Sequence, residues 1–199
     1  MQTDNSIINM YSSQNKIDIL FEIYKDSRTV FRINDVALLI NSNDRLLYQK
    51  LNKLVKQGKL LNIRKGIYAK EGYKSEEVAC LLYTPTYISL SYVLQRNGII
   101  FQYDSAITNI SYLNREIFVN EQSIQYRQIK REILLNTNGI INKNNTNIAT
   151  PERAFLDTLY LNGFFYFDNI KQLNISKIYE LLPIYNSASL MRETDKILK

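Results

Sequence analysis

The sequence predicts an α+β fold in two domains, and three features of the chain support that prediction. Apolar residues recur at helical spacing near both ends. Short runs rich in Ile, Tyr and Phe, which are typical of strands, occupy residues 105–136. Charge is unevenly placed, because residues 1–72 carry 12 basic and 7 acidic groups whereas residues 73–199 carry 13 and 12. We therefore place the domain boundary after residue 72.

Residues 1–72 are predicted to form helices followed by a hairpin. Asn34 is expected to cap the second helix, and Gly58 is expected to end the third because glycine tolerates a positive φ. The predicted elements are a helix over 14–25, a strand over 29–31, helices over 34–40 and 44–57, and strands over 60–63 and 67–69. This order of helix, turn, helix and basic hairpin is typical of a winged helix-turn-helix, which is a DNA-binding fold.

The segment from Arg45 to Lys70 holds eight basic residues and no acidic residue. At 100° per residue, the third helix has a leucine-rich side, expected to pack on the first two helices, and an opposite polar side without acids. The leucine-rich side consists of Leu47, Leu51, Leu54 and Val55. The polar side consists of Arg45, Gln49, Asn52, Lys53 and Lys56. Two tyrosines, Tyr48 at the margin of the leucine-rich side and Tyr68 in the hairpin, are expected to pack inside.

The polar side and the hairpin tip supply the predicted DNA contacts. Arg45 and Gln49 lie near the helix start, which enters the major groove in such folds, so we expect them to read bases: Arg can pair with guanine and Gln with adenine. The other predicted contacts, to phosphates along the helix and to the flanking backbone or minor groove at the hairpin tip, are Asn52, Lys53, Lys56, Arg64 and Lys65. A basic helix face is also a common solvated surface, and the sequence leaves that alternative open.

Residues 73–199 are predicted to form a mixed α/β domain. Ser75 is expected to cap a helix over 75–82, and Thr150-Pro151 is a strong helix start because Thr caps well and Pro suits the first helical position. The other predicted elements are a helix starting at Ser89 or Ser91, strands over 106–110, 116–119, 124–129 and 133–135, an Asn-rich loop over 136–147, and helices over 176–182 and 187–198.

Several function classes are disfavoured by what the sequence lacks. With no histidine, the chain cannot use histidine-based acid–base chemistry or most zinc sites. Its single cysteine, Cys80, lies in an apolar run, so we expect a buried, inert thiol and no disulfide. The sequence contains no glycine motif for phosphate, no apolar stretch of bilayer length and no signal peptide. We expect a cytoplasmic protein that is not an enzyme, uses no cofactor or metal, and does not bind membranes.

Three segments resemble the AbiEi-type antitoxins of bacterial toxin–antitoxin and abortive-infection systems. The first ends the predicted winged helix and reads LNKLVKQGKL over residues 51–60, then RKGIYA over residues 64–69. The second reads PTYISLSYVL over residues 85–94. The third and most specific reads IATPERAFLD over residues 148–157. The residues after 162 depart most from the family.

The resemblance implies a two-domain antitoxin that represses its own operon and counteracts a co-encoded nucleotidyltransferase-like toxin without binding it tightly. Its DNA target would be double-stranded, at its own promoter and at inverted repeats. Neutralisation would need the second domain, an α/β domain like the C-terminal domain of the antitoxins. Arg153 and Asp157 lie four residues apart on one helical face, which allows an intrahelical pair. We expect these residues to anchor the helix start to the sheet, and direct contact with a partner is the alternative.

Two alternatives from other function classes stay open. A metal-dependent nuclease would use Asp104, Glu116, Gln128 and Lys130, which loosely match an acid followed by Gln-x-Lys on a strand. Magnesium-dependent DNA cleavage would reveal it. A stand-alone winged-helix regulator would instead sense a ligand through its second domain and have no toxin, and gene context separates this regulator from an antitoxin.

Overall fold

The structure, a computed structural model, describes residues 18–41, 45–143 and 145–199. Its packing divides the chain into two units between Tyr73 and Lys74, whereas the predicted boundary followed residue 72. Both units combine helices with a sheet, so the fold class is α+β. None of the described helices has both the length and the apolar character that crossing a membrane requires.

The described part of the first unit contains three helices and a three-stranded antiparallel sheet. The helices are α1 (Ile19–Lys25), α2 (Ile33–Leu39) and α3 (Leu47–Lys56), and the strands are β1 (Val30–Arg32), β2 (Leu61–Arg64) and β3 (Ile67–Ala69). β3 lies in the middle, in the order β1-β3-β2. Residues 14–17 of the predicted first helix and residues 42–44 of the predicted turn and third helix lie outside the described residues.

The core of this unit forms where the apolar sides of the helices meet the sheet. Its most deeply buried members are Ile23, Phe31, Val36, Leu47, Leu51, Leu60 and Tyr68. Leu54 and Val55 are partly buried against this cluster. The leucine-rich side of α3 is therefore its packed side, as the helical wheel predicts, and Tyr68 packs inside as expected.

Two predicted helix caps are wrong, one by two residues and one by a single residue. α2 begins at Ile33, so Asn34 lies inside the helix and Arg32 occupies the N-cap position. The Arg32 N–H donates to Asp35 Oδ2 at 2.7 Å, so the Asp35 carboxylate stabilises the first turn of the helix. Ser75 is likewise the first residue of α4 (Ser75–Leu82), whose N-cap position is occupied by Lys74.

The second unit is built on a six-stranded mixed sheet in the order β6-β7-β5-β4-β9-β8. β4 pairs in parallel with β9, and β5 with β7; the other neighbours are antiparallel. The strands are β4 (Thr86–Ile88), β5 (Ile107–Ser111), β6 (Arg115–Val119), β7 (Gln122–Gln128), β8 (Ile140–Lys143) and β9 (Thr146–Ala149). With α4, the helices are α5 (Ser91–Arg96), α6 (Arg131–Leu135), α7 (Pro151–Asn162), α8 (Ile175–Leu181) and α9 (Ala188–Leu198).

Helices cover both faces of this sheet. Tyr126 of β7 donates to the Ala79 carbonyl of α4 at 2.8 Å, whereas Tyr87 of β4 donates to Asp157 of α7 at 3.2 Å. The strand register puts Ile88, not Tyr87, on the face of Tyr126, because successive side chains alternate. α4 therefore packs on one face and α7 on the other.

Two predictions for the second unit are wrong. Residues 133–135 belong to α6 rather than to a strand, because the Leu134 N–H donates to the Lys130 carbonyl at 3.0 Å and closes a helical turn. The predicted loop over 136–147 contains the β8–β9 hairpin. β8 is an edge strand that reads IINK, and because its two isoleucines are adjacent it lacks the alternating apolar signal. The start of α7 is as predicted, with Thr150 as cap and Pro151 first.

Candidate nucleic-acid interface

The two sides of α3 differ in chemistry and exposure. Leu47 and Leu51 are buried, whereas Gln49, Lys53 and Lys56 are exposed. Because these three polar residues are three or four positions apart, they form a continuous stripe along the helix. The helix thereby combines a packed side with a basic stripe that includes a hydrogen-bonding amide.

Arg45 lies before α3 rather than on it. The helix begins at Leu47, and Arg45 is an exposed residue of the preceding turn. The prediction that the third helix includes Arg45 is therefore wrong. The N-cap position holds Leu46, which makes no side-chain capping bond, so the sequence carries no cap signal at this boundary. Arg45 remains a predicted base contact, now from a turn.

Asn52 has a structural contact that the sequence did not indicate. It is half-buried, and its Oδ1 accepts a hydrogen bond from the Tyr68 hydroxyl at 3.3 Å. Burial raises the pKa of Tyr68, so the hydroxyl stays protonated and can donate. Asn52 thus links α3 to β3. Tyr48, which we expected to pack, is instead 46% exposed beside the polar stripe.

The β2–β3 hairpin carries the other two predicted contacts. Arg64 and Lys65 are exposed at its tip, followed by Gly66 with φ of +76°, a conformation that glycine adopts without strain. The Gly66 carbonyl accepts the Ile33 N–H at 3.0 Å. The hairpin tip is therefore fixed to the start of α2 rather than projecting freely.

The cations predicted to contact DNA from α3 and the hairpin tip differ from Arg28, another cation of the first unit, in their ion pairing. Lys53, Lys56 and Arg64 form no ion pair with a carboxylate of the described residues, and the same holds for Lys65. Arg28, by contrast, donates to both oxygens of Asp26 at 3.0 and 2.8 Å, and these bonds hold the pKa of Asp26 below its usual value. Unneutralised positive charge therefore lies on the predicted interface.

In the second unit, Arg153 and Asp157 form the centre of a buried polar network. Both side chains are 0% exposed, and Arg153 Nε lies 3.5 Å from Asp157 Oδ1. Asp157 also accepts hydrogen bonds from the hydroxyls of Tyr185 at 2.6 Å, Ser89 at 2.7 Å and Tyr87 at 3.2 Å. Two segments of the family resemblance, residues 85–94 and 148–157, therefore meet in this network.

The other contacts of the network fix the helix that carries it. Arg153 donates to the carbonyls of Ile133 at 2.8 Å and Asn138 at 3.0 Å. Burial raises the pKa of Tyr87 and of Tyr185 well above their usual value, so both hydroxyls stay protonated and donate. Burial also raises the pKa of Asp157, opposed by the guanidinium and the hydroxyl donors. These contacts agree with the expected anchoring role.

Two of the residues named for the nuclease alternative, Asp104 and Glu116, already accept hydrogen bonds within the protein. Asp104 Oδ1 accepts the Ala106 N–H at 2.8 Å, and Glu116 Oε1 accepts from the Ser123 hydroxyl at 2.8 Å. Among the described residues, no group of three or more acidic or cysteine side chains is placed to hold a metal ion. Cys80 is half-buried rather than buried, and burial raises the pKa of its thiol to about 11, which disfavours a nucleophilic role.

Comparison of the chain with protein-family models and with curated proteins finds no match.

Proposed function

We propose that this chain is a repressor of the AbiEi antitoxin type, which binds double-stranded DNA through a winged helix-turn-helix in its first unit. The observation that carries the proposal is the exposed stripe of Gln49, Lys53 and Lys56 on α3, whose lysines no described carboxylate neutralises. Cations without acidic partners are the groups that bind phosphates with release of counterions. The element order of the unit, with α3 followed by a basic hairpin, supports the same proposal.

Each predicted contact has a role in this complex. α3 enters the major groove, where the Gln49 amide is suited to the two hydrogen-bonding groups of an adenine edge. Lys53 and Lys56, further along the helix, hold phosphates. Arg45 reaches a guanine from the turn before α3, and the hairpin tip, with Arg64 and Lys65, contacts the flanking backbone or minor groove. Asn52 adds a phosphate contact from the half-buried edge of the stripe.

Fluorescence anisotropy with a labelled duplex from the chain's own promoter tests the DNA part. Affinity should fall steeply as salt rises, and Lys53→Ala or Lys65→Ala should weaken binding to all sequences and reduce the salt slope by about one. Gln49→Ala should reduce discrimination at one base pair by about 1–3 kcal/mol. Lys171→Ala, an exposed lysine of the second unit, is the matched control. Absent or salt-insensitive binding would refute the proposal.

We further propose that the second unit counteracts a co-encoded nucleotidyltransferase-like toxin in the cytoplasm, without catalysis and without a tight complex. Co-expression with the neighbouring gene tests this part. The full chain should restore growth, and so should the full chain with Lys53→Ala and Lys65→Ala, because repression and neutralisation would reside in different units. Loss of rescue in that variant, or a neighbouring gene without toxicity, would refute the antitoxin part and leave a stand-alone regulator.

A further inference from the structure

Three of the six glycines in the chain directly follow an asparagine, in the pairs Asn97-Gly98, Asn138-Gly139 and Asn162-Gly163. Asparagine is a chemically labile residue, and before glycine it loses its side-chain amide most readily. The reason is that glycine has no Cβ to hinder attack of its own backbone nitrogen on the preceding side chain. The reaction requires that nitrogen and that amide to be free to approach each other, so the surroundings of each pair decide whether it reacts.

Two of the three pairs are held at helix ends. The Gly98 N–H donates to a carbonyl of α5 at 3.0 Å, and the Gly163 N–H donates to a carbonyl of α7 at 2.8 Å. Both bonds close the last turn of the helix. The Asn97 amide is held as well, because its Nδ2 donates to the Val93 carbonyl at 2.7 Å. In both pairs the attacking nitrogen is therefore already bonded within the helix.

The third pair, Asn138-Gly139, lies in the turn between α6 and β8. The Gly139 N–H donates to no acceptor among the described residues. The Asn138 side chain is exposed, and its amide makes no hydrogen bond to the described part of the chain. Both groups that must meet in the reaction are therefore available in this pair.

We propose that Asn138 is a site of spontaneous conversion to isoaspartate. The Gly139 nitrogen loses its proton and attacks the side-chain amide carbon of Asn138, which closes a cyclic imide and releases ammonia. Water then opens the imide. Addition at the former backbone carbonyl carbon gives isoaspartate, and addition at the side-chain carbon gives aspartate. Water is the only co-reactant, and the proposal does not depend on the DNA function.

The turn is too closely packed to accommodate the isoaspartate. The Asn138 carbonyl accepts from Arg153 Nη1 at 3.0 Å, and the Gly139 carbonyl accepts the Thr150 N–H at 2.7 Å. A Cβ added at Gly139 would lie 3.0 Å from Leu181 Cδ1. Isoaspartate lengthens the main chain by one carbon atom at this turn, so it displaces both carbonyls from their donors. Conversion should therefore destabilise the second unit.

Peptide mapping by mass spectrometry tests the site. The folded full chain is incubated at mildly alkaline pH, digested, and analysed for asparagine, aspartate and isoaspartate at each pair. We expect Asn138 to react at least fivefold faster than Asn97 and Asn162, and the three to react at similar rates in urea, because only the fold distinguishes them. Equal or faster reaction at Asn97 or Asn162 in the folded chain overturns the proposal, as does a difference that persists in urea.

Thermal unfolding before and after the incubation tests the consequence. The melting temperature of the parent chain should fall as isoaspartate accumulates. Asn138→Gln should keep its initial value, because glutamine closes the corresponding larger ring far more slowly and the position is exposed. Asn162→Gln, the matched control, should lose stability as the parent does. An equal loss in Asn138→Gln, or no loss in a converted parent chain, would overturn the proposed effect of the modification.

Discussion

Asp157→Asn should strongly destabilise the second unit, because it removes the negative charge that Arg153 faces inside the protein. Both side chains are 0% exposed, so the guanidinium cannot turn to water for compensation. Removing one partner of a buried ion pair costs about 3–5 kcal/mol. Arg153 keeps its bonds to the carbonyls of Ile133 and Asn138, which favours the lower end, about 3 kcal/mol. A loss of that size is a large fraction of the stability of a natural domain, roughly 5–15 kcal/mol.

Urea unfolding followed by far-ultraviolet circular dichroism measures this loss, since the chain has no tryptophan for fluorescence. Asp195→Asn is the matched control, because it makes the same chemical change at a surface aspartate of α9 that accepts a hydrogen bond from Tyr179. We expect the Asp157 variant to unfold at clearly lower urea and the control to stay near the parent chain. Equal midpoints for the two variants would refute the reasoning.

A double substitution separates the charge from the packing. Arg153→Met combined with Asp157→Leu removes both buried charges, so the double variant should lose less stability than the two single losses added together. Additive losses would show that the ion pair is not coupled and that the cost arises from packing alone.

Three further predictions concern other parts of the chain. Gly139→Ala should lower the melting temperature, because Gly139 has φ of +76° and an added Cβ would lie 3.0 Å from Leu181 Cδ1; an unchanged melting temperature would contradict this close packing. Asp26→Asn should flatten the acid limb of the stability curve, measured by urea midpoints from neutral pH down to about pH 2. Arg28 lowers the folded-state pKa of Asp26, so its stabilisation is present at neutral pH and is lost as pH falls through that lowered pKa; a parallel acid limb in the variant would contradict this. Cys80, whose pKa burial raises to about 11, should react with a disulfide reagent far more slowly in the native chain than in urea at mildly alkaline pH, and equal rates would contradict it.

The features that the sequence could predict depend on contacts close along the chain. The side of α3 that packs follows from the spacing of Leu47 and Leu51, because helical periodicity alone brings them together. The start of α7 follows from Thr150 and Pro151, whose effects are confined to one turn. For the same reason, the pairing of Arg153 with Asp157 could be predicted from the sequence, because the two residues lie one helical turn apart.

The features that the sequence could not predict depend on distant contacts. Tyr87, Ser89 and Tyr185 complete the Asp157 network from segments up to 70 residues away, and neither helical nor strand periodicity predicts these contacts. The β8–β9 hairpin was also not predicted, because its asparagines are typical of turns. Asn142 and Asn147 instead face each other across the two strands, and Asn142 Nδ2 donates to Asn147 Oδ1 at 3.0 Å.

The surroundings of the cations in this chain separate their roles better than their number does. Arg153 is fully buried, lies in an ion pair with Asp157 and donates to a hydroxyl and two carbonyls, so it stabilises the fold. Lys53 and Lys65 are exposed without an acidic partner among the described residues, so their charge is available to phosphates. Substitution at Arg153 should therefore change stability, whereas substitution at Lys53 should change DNA affinity alone.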